Sequence, residues 1–285
     1  MGMELIDLTI EIAEEFSAFI NEDMAENLGR EFFYGIGVLD DDGSTRGAMI
    51  YELLNVEDQD NLKSRIYAFG GDGKDIKDVL MKEYESIIKA EGVVESFYES
   101  DDESLAKALK DRGFSKETSE SLDIIVTIKD IKKVISKLNL NNIPDNILLL
   151  SDVFVHQYRE FANKCVDNGK YGLLEDLEFL SMDWFEENIS SCLVVEDKVN
   201  GAFLIKKAPS NTLYALLYVA FGVENQKDLA FLMARTANRI VEDYPKDTKI
   251  VIRRHNDSVK KLTDSIFPGM KGEQVYVGQR SEITK

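Results

Sequence analysis

The residues of this chain that could do chemistry are few, and most of them gather around a stretch that occurs twice. Tyr67–Met81 reads YAFGGDGKDIKDVLM, and Val219–Met233 reads VAFGVENQKDLAFLM. In each, an apolar strand ends in Phe-Gly, a polar turn follows, and a helix opens on Asp or Lys. A strand running through such a turn into a helix aims backbone N–H groups and the positive end of the helix dipole at one point, where a phosphate can be held. Phe69 pairs with Phe221 and Leu80 with Leu232 at a common offset of 152 residues.

Other chemistries find no anchor. His156 and His255 stand far apart, and Cys165 and Cys192 lack metal-ligand spacing, which argues against a zinc site. No G-x-S-x-G supplies a nucleophile for a serine triad. Gly70-Gly71-Asp72-Gly73 is not a GxGxxG dinucleotide loop. LDDDGSTRG lacks the Glu that would complete a calcium loop at its twelfth position, so it reads as a hairpin turn. Two thiols in 285 residues do not make a disulfide framework, and a reducing cytoplasm is the expected compartment. No apolar run approaches 18 residues, and MGMELIDL lacks the basic-then-apolar pattern of a signal peptide.

The net charge of −19 is unevenly spread. Residues 1–130 hold 32 acids and 13 bases, whereas residues 131–285 hold 21 of each. An acidic first half repels nucleic acid and anionic membrane, so neither is an expected partner, and it attracts cations and amines.

Hydrophobic periodicity places the elements that must position these residues. In the first half it predicts a strand at Met3–Leu8 and a helix over Ile10–Leu28. A hairpin of Phe32–Leu39 with Gly47–Leu54 and a strand Ser64–Phe69 follow. Helix Lys74–Ala90, strand Val93–Tyr98, helix Glu103–Asp111 and a strand Leu122–Ile128 buried on both faces complete that half. The polar segment Lys129–Asn146 with Pro144 reads as the boundary, giving domains 1–130 and 131–285. In the second half come Ile147–Leu150, helices Val153–Cys165 and Glu175–Asn188, and a hairpin of Cys192–Glu196 with Gly201–Lys206. Strand Leu213–Phe221, helix Lys227–Tyr244, strand Lys249–Arg253, helix Ser258–Ser265 and strand Gln274–Gly278 follow. The two orders match, with Gly47 against Gly201 and Asp102 against Asn256, both at an offset of 154. Landmarks in the same order argue for an internal duplication.

That order, with its turn and its late short helix, resembles the GNAT superfamily of N-acetyltransferases, covering nearly the whole chain as a tandem pair. The resemblance implies an α+β fold of two GNAT-like domains, each a mixed, mostly antiparallel sheet flanked by helices. It implies acetyl-CoA as cosubstrate, held where two parallel strands splay apart, by a loop of pattern R/Q-x-x-G-x-G/A. In the first half the leading position falls on Asp72 and the glycines on Gly73, Asp75 and Lys77. In the second half they fall on Glu224, Asn225, Lys227 and Leu229. A Cβ in place of a glycine hinders close approach of backbone to phosphate. A carboxylate there opposes it by about 1 kcal/mol at ~4 Å in water. The family's late Tyr falls on Leu109 and Thr263, so neither half has that acid.

By the same resemblance the second half is the one expected to hold acetyl-CoA. Its cofactor residues are Val219, Phe221, Gly222, Val223, Asn225, Gln226, Lys227 and Asn256, with backbone N–H groups near Val219 and Phe221 as oxyanion donors. Arg253-Arg254 and Lys260-Lys261 stand where the family often places the cofactor's 3′-phosphate, and the acidic first half becomes a scaffold. Bases to deprotonate the acceptor are sought at Tyr218, Glu178 and Tyr214, and no spacing selects among them. Tyr218 also suits packing on a sheet face, and Glu178 the solvated side of a helix. Two functions follow from these residues. One is acetyl transfer from acetyl-CoA to a small-molecule or protein amine. The other is a non-catalytic module whose CoA loops have been lost.

Overall fold

The structure, a computed structural model, describes residues 2–55, 61–138, 142–222 and 226–282. The chain forms two compact units. Unit 1 comprises residues 1–121 and 273–285, and unit 2 residues 122–272. The expected boundary between 130 and 131 therefore falls inside unit 2, and the last strand of the chain belongs to unit 1.

Unit 1 is built on a seven-stranded sheet. Its strands are β1 (Met3–Asp7), β2 (Phe33–Asp40), β3 (Thr45–Asn55), β4 (Leu62–Gly71), β5 (Glu95–Ser100) and β6 (Glu117–Glu120). Unit 2 begins with β7 (Asp123–Thr127) and continues with β8 (Ile147–Leu149), β9 (Ser191–Val195), β10 (Lys198–Lys207), β11 (Leu213–Ala220) and β12 (Lys249–Arg253). The final strand, β13 (Gln274–Ser281), inserts between β5 and β6 of the first sheet. The orders are β1-β2-β3-β4-β5-β13-β6 and β7-β12-β11-β10-β9-β8. All neighbours are antiparallel except β4 with β5 and β11 with β12.

The helices follow the same plan. In unit 1 these are α1 (Glu22–Ala25), α2 (Lys74–Glu91) and α3 (Glu103–Lys110). In unit 2 they are α4 (Ile128–Leu138), α5 (Val155–Asp167), α6 (Gln226–Asp243) and α7 (Asp257–Ile266). α2 buries Ile76, Leu80, Tyr84 and Ile88, a stripe at helical spacing, against Met49, Tyr51 and Ile66 of the sheet. On the other face of that sheet Phe16 and Ile20 pack on Ala48, Ile50 and Ala68. Leu232 of α6 is fully buried as Leu80 is, and Asp102 and Asn256 both cap helices, so these pairings hold.

Four expectations need correction. Residues 10–29 form single turns, with 3₁₀ segments at Ala13–Phe16 and Glu26–Gly29, rather than one helix. Glu175–Asn188 is likewise a series of tight turns. Buried Leu174, just before it, and Leu177 and Leu180 within it are spaced by three, and the backbone bonds run from i+3 to i, as in Leu177 N–H to Leu174 O at 3.1 Å. β7 is an edge strand with Ile124 and Val126 buried and Ile125 exposed, so it has one core face, not two. The polar segment read as a boundary overlaps α4, whose Ile128, Ile131 and Val134 join the core of unit 2.

The decisive local feature is a β-bulge present in both sheets. The register of β3 with β4 slips after Ile50, leaving Tyr67 as an extra residue, and that of β10 with β11 slips after Leu204, leaving Leu216 extra. A bulge bends its strand and increases the twist. β4 pairs with β5 only from Lys63 to Ile66, and β11 with β12 only from Leu213 to Ala215. In each case the parallel pair parts at the residue before the bulge.

The strand registers also correct the alignment of the repeats. Gly71 faces Gly47 and Ala220 faces Gly201, so β4 and β11 match at an offset of 149, not 152. Asp72 N–H bonds Arg46 O at 2.8 Å and Phe221 N–H bonds Asn200 O at 2.6 Å, which makes Asp72, not Phe69, the counterpart of Phe221. Phe69 corresponds to Tyr218. The helices α2 and α6, both of 18 residues, do match at 152, so the connection in unit 2 is three residues longer.

Two outcomes follow. The fragment 1–130 lacks β13 and leaves β6 without its partner, so it will show no cooperative thermal transition by circular dichroism. Residues 2–121 joined by a flexible linker to 273–282 will regain one, and a cooperative melt of 1–130 alone would refute the topology. At Gly278 an added Cβ would clash with the Ser115 carbonyl oxygen and meet the Tyr98 ring at 2.5 Å. Gly278→Ala will lower unfolding stability by about 3 kcal/mol in urea titrations, the upper range of overpacking.

Candidate functional site

In unit 2 the expected residues are largely engaged in holding the fold. Tyr218 packs on Phe203, with ring centroids 5.0 Å apart, and donates its hydroxyl hydrogen to the Leu229 carbonyl of α6 at 2.6 Å. Burial raises its pKa well above the ordinary phenol value. The Phe221 N–H is spent on Asn200, and by the two-residue alternation of a strand the Val219 N–H points to the same side. The N–H groups of Tyr218 and Ala220 are the ones aimed at the edge that β12 has left. Phe221 itself lies against Phe161 of α5, with Lys164 and Lys170 over its ring at 4.4 and 4.9 Å.

Asn256 accepts from Val259 N–H at 2.9 Å as the cap of α7. Arg253 pairs with Asp123 at 3.1 Å, and Arg254 lies 3.7 Å from Asp264. Glu178 is exposed, with its backbone carbonyl accepting from Arg159. Tyr214 lies within the paired part of β11, ahead of the bulge. Gly222 has φ +63°, and Lys227 is exposed in the first turn of α6. Val223, Glu224 and Asn225 lie outside the described residues, and of Gln226 only its place at the start of α6 is described. Both cysteines are buried, and burial pushes each thiol up to about 12, which leaves them unreactive at neutral pH.

Unit 1 brings together a group that sequence reasoning missed. Glu52 on β3 stands opposite Arg65 on β4, and Tyr67, the bulged residue, turns to the same face. Tyr67 donates its hydroxyl hydrogen to Glu52 Oε2 at 2.6 Å, and the Arg65 guanidinium lies 4.7 Å from the centre of the Tyr67 ring. Arg65 Nη2 is 3.6 Å from Glu99 Oε2, and Ser121 Oγ donates to Glu99 Oε1 at 2.9 Å. Burial raises the Tyr67 pKa, with Glu52 adding to the shift and Arg65 opposing it, so the phenol keeps its proton through the neutral range. Glu99 and Tyr67 each come one residue after the last β4–β5 pair, Ile66 with Tyr98, so the cluster stands at the mouth of the splay. Beside it runs a groove of about 520 Å³ lined by Phe97, Glu95, Glu99, Glu117, Val277 and Gln279, among others. The sequence signal was Arg65-x-Tyr67 in an apolar strand, two long polar side chains on one face of β4.

The turn of unit 1 is also better formed for an anion than its sequence suggests. Gly73 precedes α2 at φ +95°, a conformation that L side chains rarely adopt, and no side chain caps the helix. The carboxylate of Asp72 is offset by Arg46, which reaches it at 3.4 Å and Asp40 at 2.6 Å. Asp72 N–H points to β3, so by alternation those of Phe69 and Gly71 point to the edge that β5 has left. At the counterpart positions unit 2 has Lys206, Tyr214, Leu216 and Arg253 in place of Glu52, Arg65, Tyr67 and Glu99. Its face at the splay thus lacks the two carboxylates. A larger groove of unit 2, about 870 Å³, is lined by Lys207, Thr212, Asp243 and Lys249. It lies where β11 and β12 begin, at the far end of β11 from its turn.

Among the described residues no helix is long and apolar enough to cross a membrane. No family model and no curated protein matches the sequence. Solved structures do match over the full length. A tandem GNAT protein from the clavulanic acid biosynthesis pathway is 9% identical and superposes with a TM-score of 0.63, covering all of both chains. A protein of unknown function from Enterococcus faecalis, described as a probable N-acyltransferase, is 10% identical over 99% of this chain and 73% of its own, with a TM-score of 0.53. A GCN5-related N-acetyltransferase from Kribbella flavida is 12% identical over 98% of this chain and 71% of its own, at 0.52. With two mixed sheets, each opened at a bulged strand that runs into an 18-residue helix, this chain has the tandem GNAT fold.

Proposed function

We propose that the chain is an acyl-CoA-dependent N-acyltransferase acting on an amine, and that unit 1 carries the chemistry. The observation that supports this most is the placement of Tyr67 and Glu99 at the first positions beyond the paired part of β4 and β5. The uncapped turn at Gly73, with Arg46 offsetting Asp72, fits the phosphates of acetyl-CoA. When bound, acetyl-CoA supplies an acyl group activated as a thioester. Glu99 receives the acceptor as an ammonium and takes one proton as the nitrogen attacks the thioester carbonyl. The C–N bond forms, the C–S bond breaks, Glu99 returns its proton to the departing thiolate, and the second amine proton is lost to solvent. Arg65 and Ser121 hold that carboxylate in place, and the Glu52–Tyr67 pair orders the wall beside it. The N–H groups of Phe69 and Gly71 stabilise negative charge on the carbonyl oxygen. The acceptor is a cationic small molecule or a protein amine, the compartment is the cytoplasm, and unit 2 is the supporting repeat.

The test is release of free thiol from acetyl-CoA in the presence of a panel of primary amines. Wild-type protein is expected to turn over at least one of them. Glu99→Gln should lower kcat/KM about 100-fold, within the usual range for a general base, while Tyr218→Phe changes it less than twofold. A larger loss from Tyr218→Phe than from Glu99→Gln would move the chemistry to unit 2. Absence of both turnover and calorimetric heat at millimolar acetyl-CoA would leave the non-catalytic module as the function.

A further inference from the structure

Arg112, just beyond α3, reaches across to α2 over the opened end of β4. Its guanidinium lies 5.0 Å from the centre of the Phe69 ring, and Phe69 stands past the last β4–β5 pair. Nη1 donates to the Ala108 carbonyl at 3.0 Å. Nη2 donates to Asp78 Oδ1 at 2.5 Å and reaches the Lys74 carbonyl of the first α2 turn at 3.5 Å. Nε is buried and has no partner. The side chain is 11% exposed, whereas its carboxylate partner Asp78 is 53% exposed.

A mostly buried arginine with a spare N–H, held by one half-exposed carboxylate, is an anion site occupied from within. A pair with one solvated end contributes little stability, so Asp78 is readily exchanged for another anion. Arginine's planar fork matches phosphate oxygens in the way that it matches a carboxylate. The fold itself does not require the pair. The positions at the same offsets in unit 2 are Ile266 and Ala230, and neither is charged.

We propose that Arg112 binds a phosphate group of an acyl-CoA seated between α2 and α3. Asp78 is then an intramolecular competitor that holds the guanidinium when the ligand is away. This rests on the reading that unit 1 takes acyl-CoA, and it adds the phosphate ligand and a built-in brake on binding.

Calorimetry on the full chain with CoA, and with pantetheine as its phosphate-free counterpart, tests the assignment. Asp78→Asn removes the competitor and should tighten CoA about three- to tenfold. Arg112→Ala should weaken CoA at least about tenfold and Arg112→Lys by less, as expected when a charge-assisted contact is lost. Pantetheine affinity should stay unchanged in every variant. Thermal melts without ligand identify any variant that fails to fold. Asp78→Asn and Arg112→Lys still decide the matter if Arg112→Ala is one of these. A merely structural pair predicts that Asp78→Asn lowers the melting temperature and leaves CoA affinity unchanged or weaker. With CoA binding intact in wild type, that result overturns the inference and spares the proposed function. No CoA binding by wild type and Asp78→Asn alike would overturn both.

Discussion

The opening of each sheet depends on a single extra residue in one strand. Without the bulge at Tyr67, β4 would run beside β5 for the rest of its length, and the N–H groups of Phe69 and Gly71 would be spent on a ladder. The extra residue adds twist, parts the parallel pair, and puts two consecutive side chains on one face. Tyr67 and Ala68 both join the face opposite α2, while Ile66 and Phe69 stay beneath the helix. The same device at Leu216 opens the second sheet, with Leu216 and Leu217 on the face that carries α5.

One backbone device thus serves two different surfaces. In unit 1 the bulged residue is a tyrosine bonded to a glutamate, with an arginine and a second glutamate around it. In unit 2 it is a leucine in an apolar cluster, and the counterpart of Glu99 is Arg253, tied to β7 by Asp123. The turn has diverged similarly. A two-residue connection with an unusual glycine in unit 1 is matched by a longer one in unit 2 that starts from Phe221, set against α5. The two units share the sheet and the helix and differ in the faces at each splay.

The sequence showed the order of the elements well because long stripes such as Ile76, Leu80, Tyr84 and Ile88 carry an unmistakable period. It showed the late caps too, since Asp102 and Asn256 are residues that end strands and start helices. It misled where spacing of three imitates a helix, at Leu174, Leu177 and Leu180. It misled again where Phe-Gly recurs by coincidence, because a turn three residues longer in unit 2 brings Phe221-Gly222 to the offset of the helices, and no pattern in the letters reports that length. The cluster of Glu52, Arg65, Tyr67 and Glu99 was hidden for a related reason. Its members come from three strands, and only pairing register brings them to one face.

The place of β13 bears on how the molecule is made. Strands β5 and β6 leave the ribosome with the neighbour they need still 153 residues from Ser121 along the chain. At ordinary elongation rates that gap lasts roughly 10–30 s. Through that interval an entire intervening unit must be synthesised, and it has every strand of its own sheet to hand, including β7. Unit 2 can therefore finish folding first although unit 1 emerges first. The nascent first sheet must keep its open edges from pairing elsewhere, and the acidic residues of β6, Glu117 and Glu120, discourage such pairing by charge.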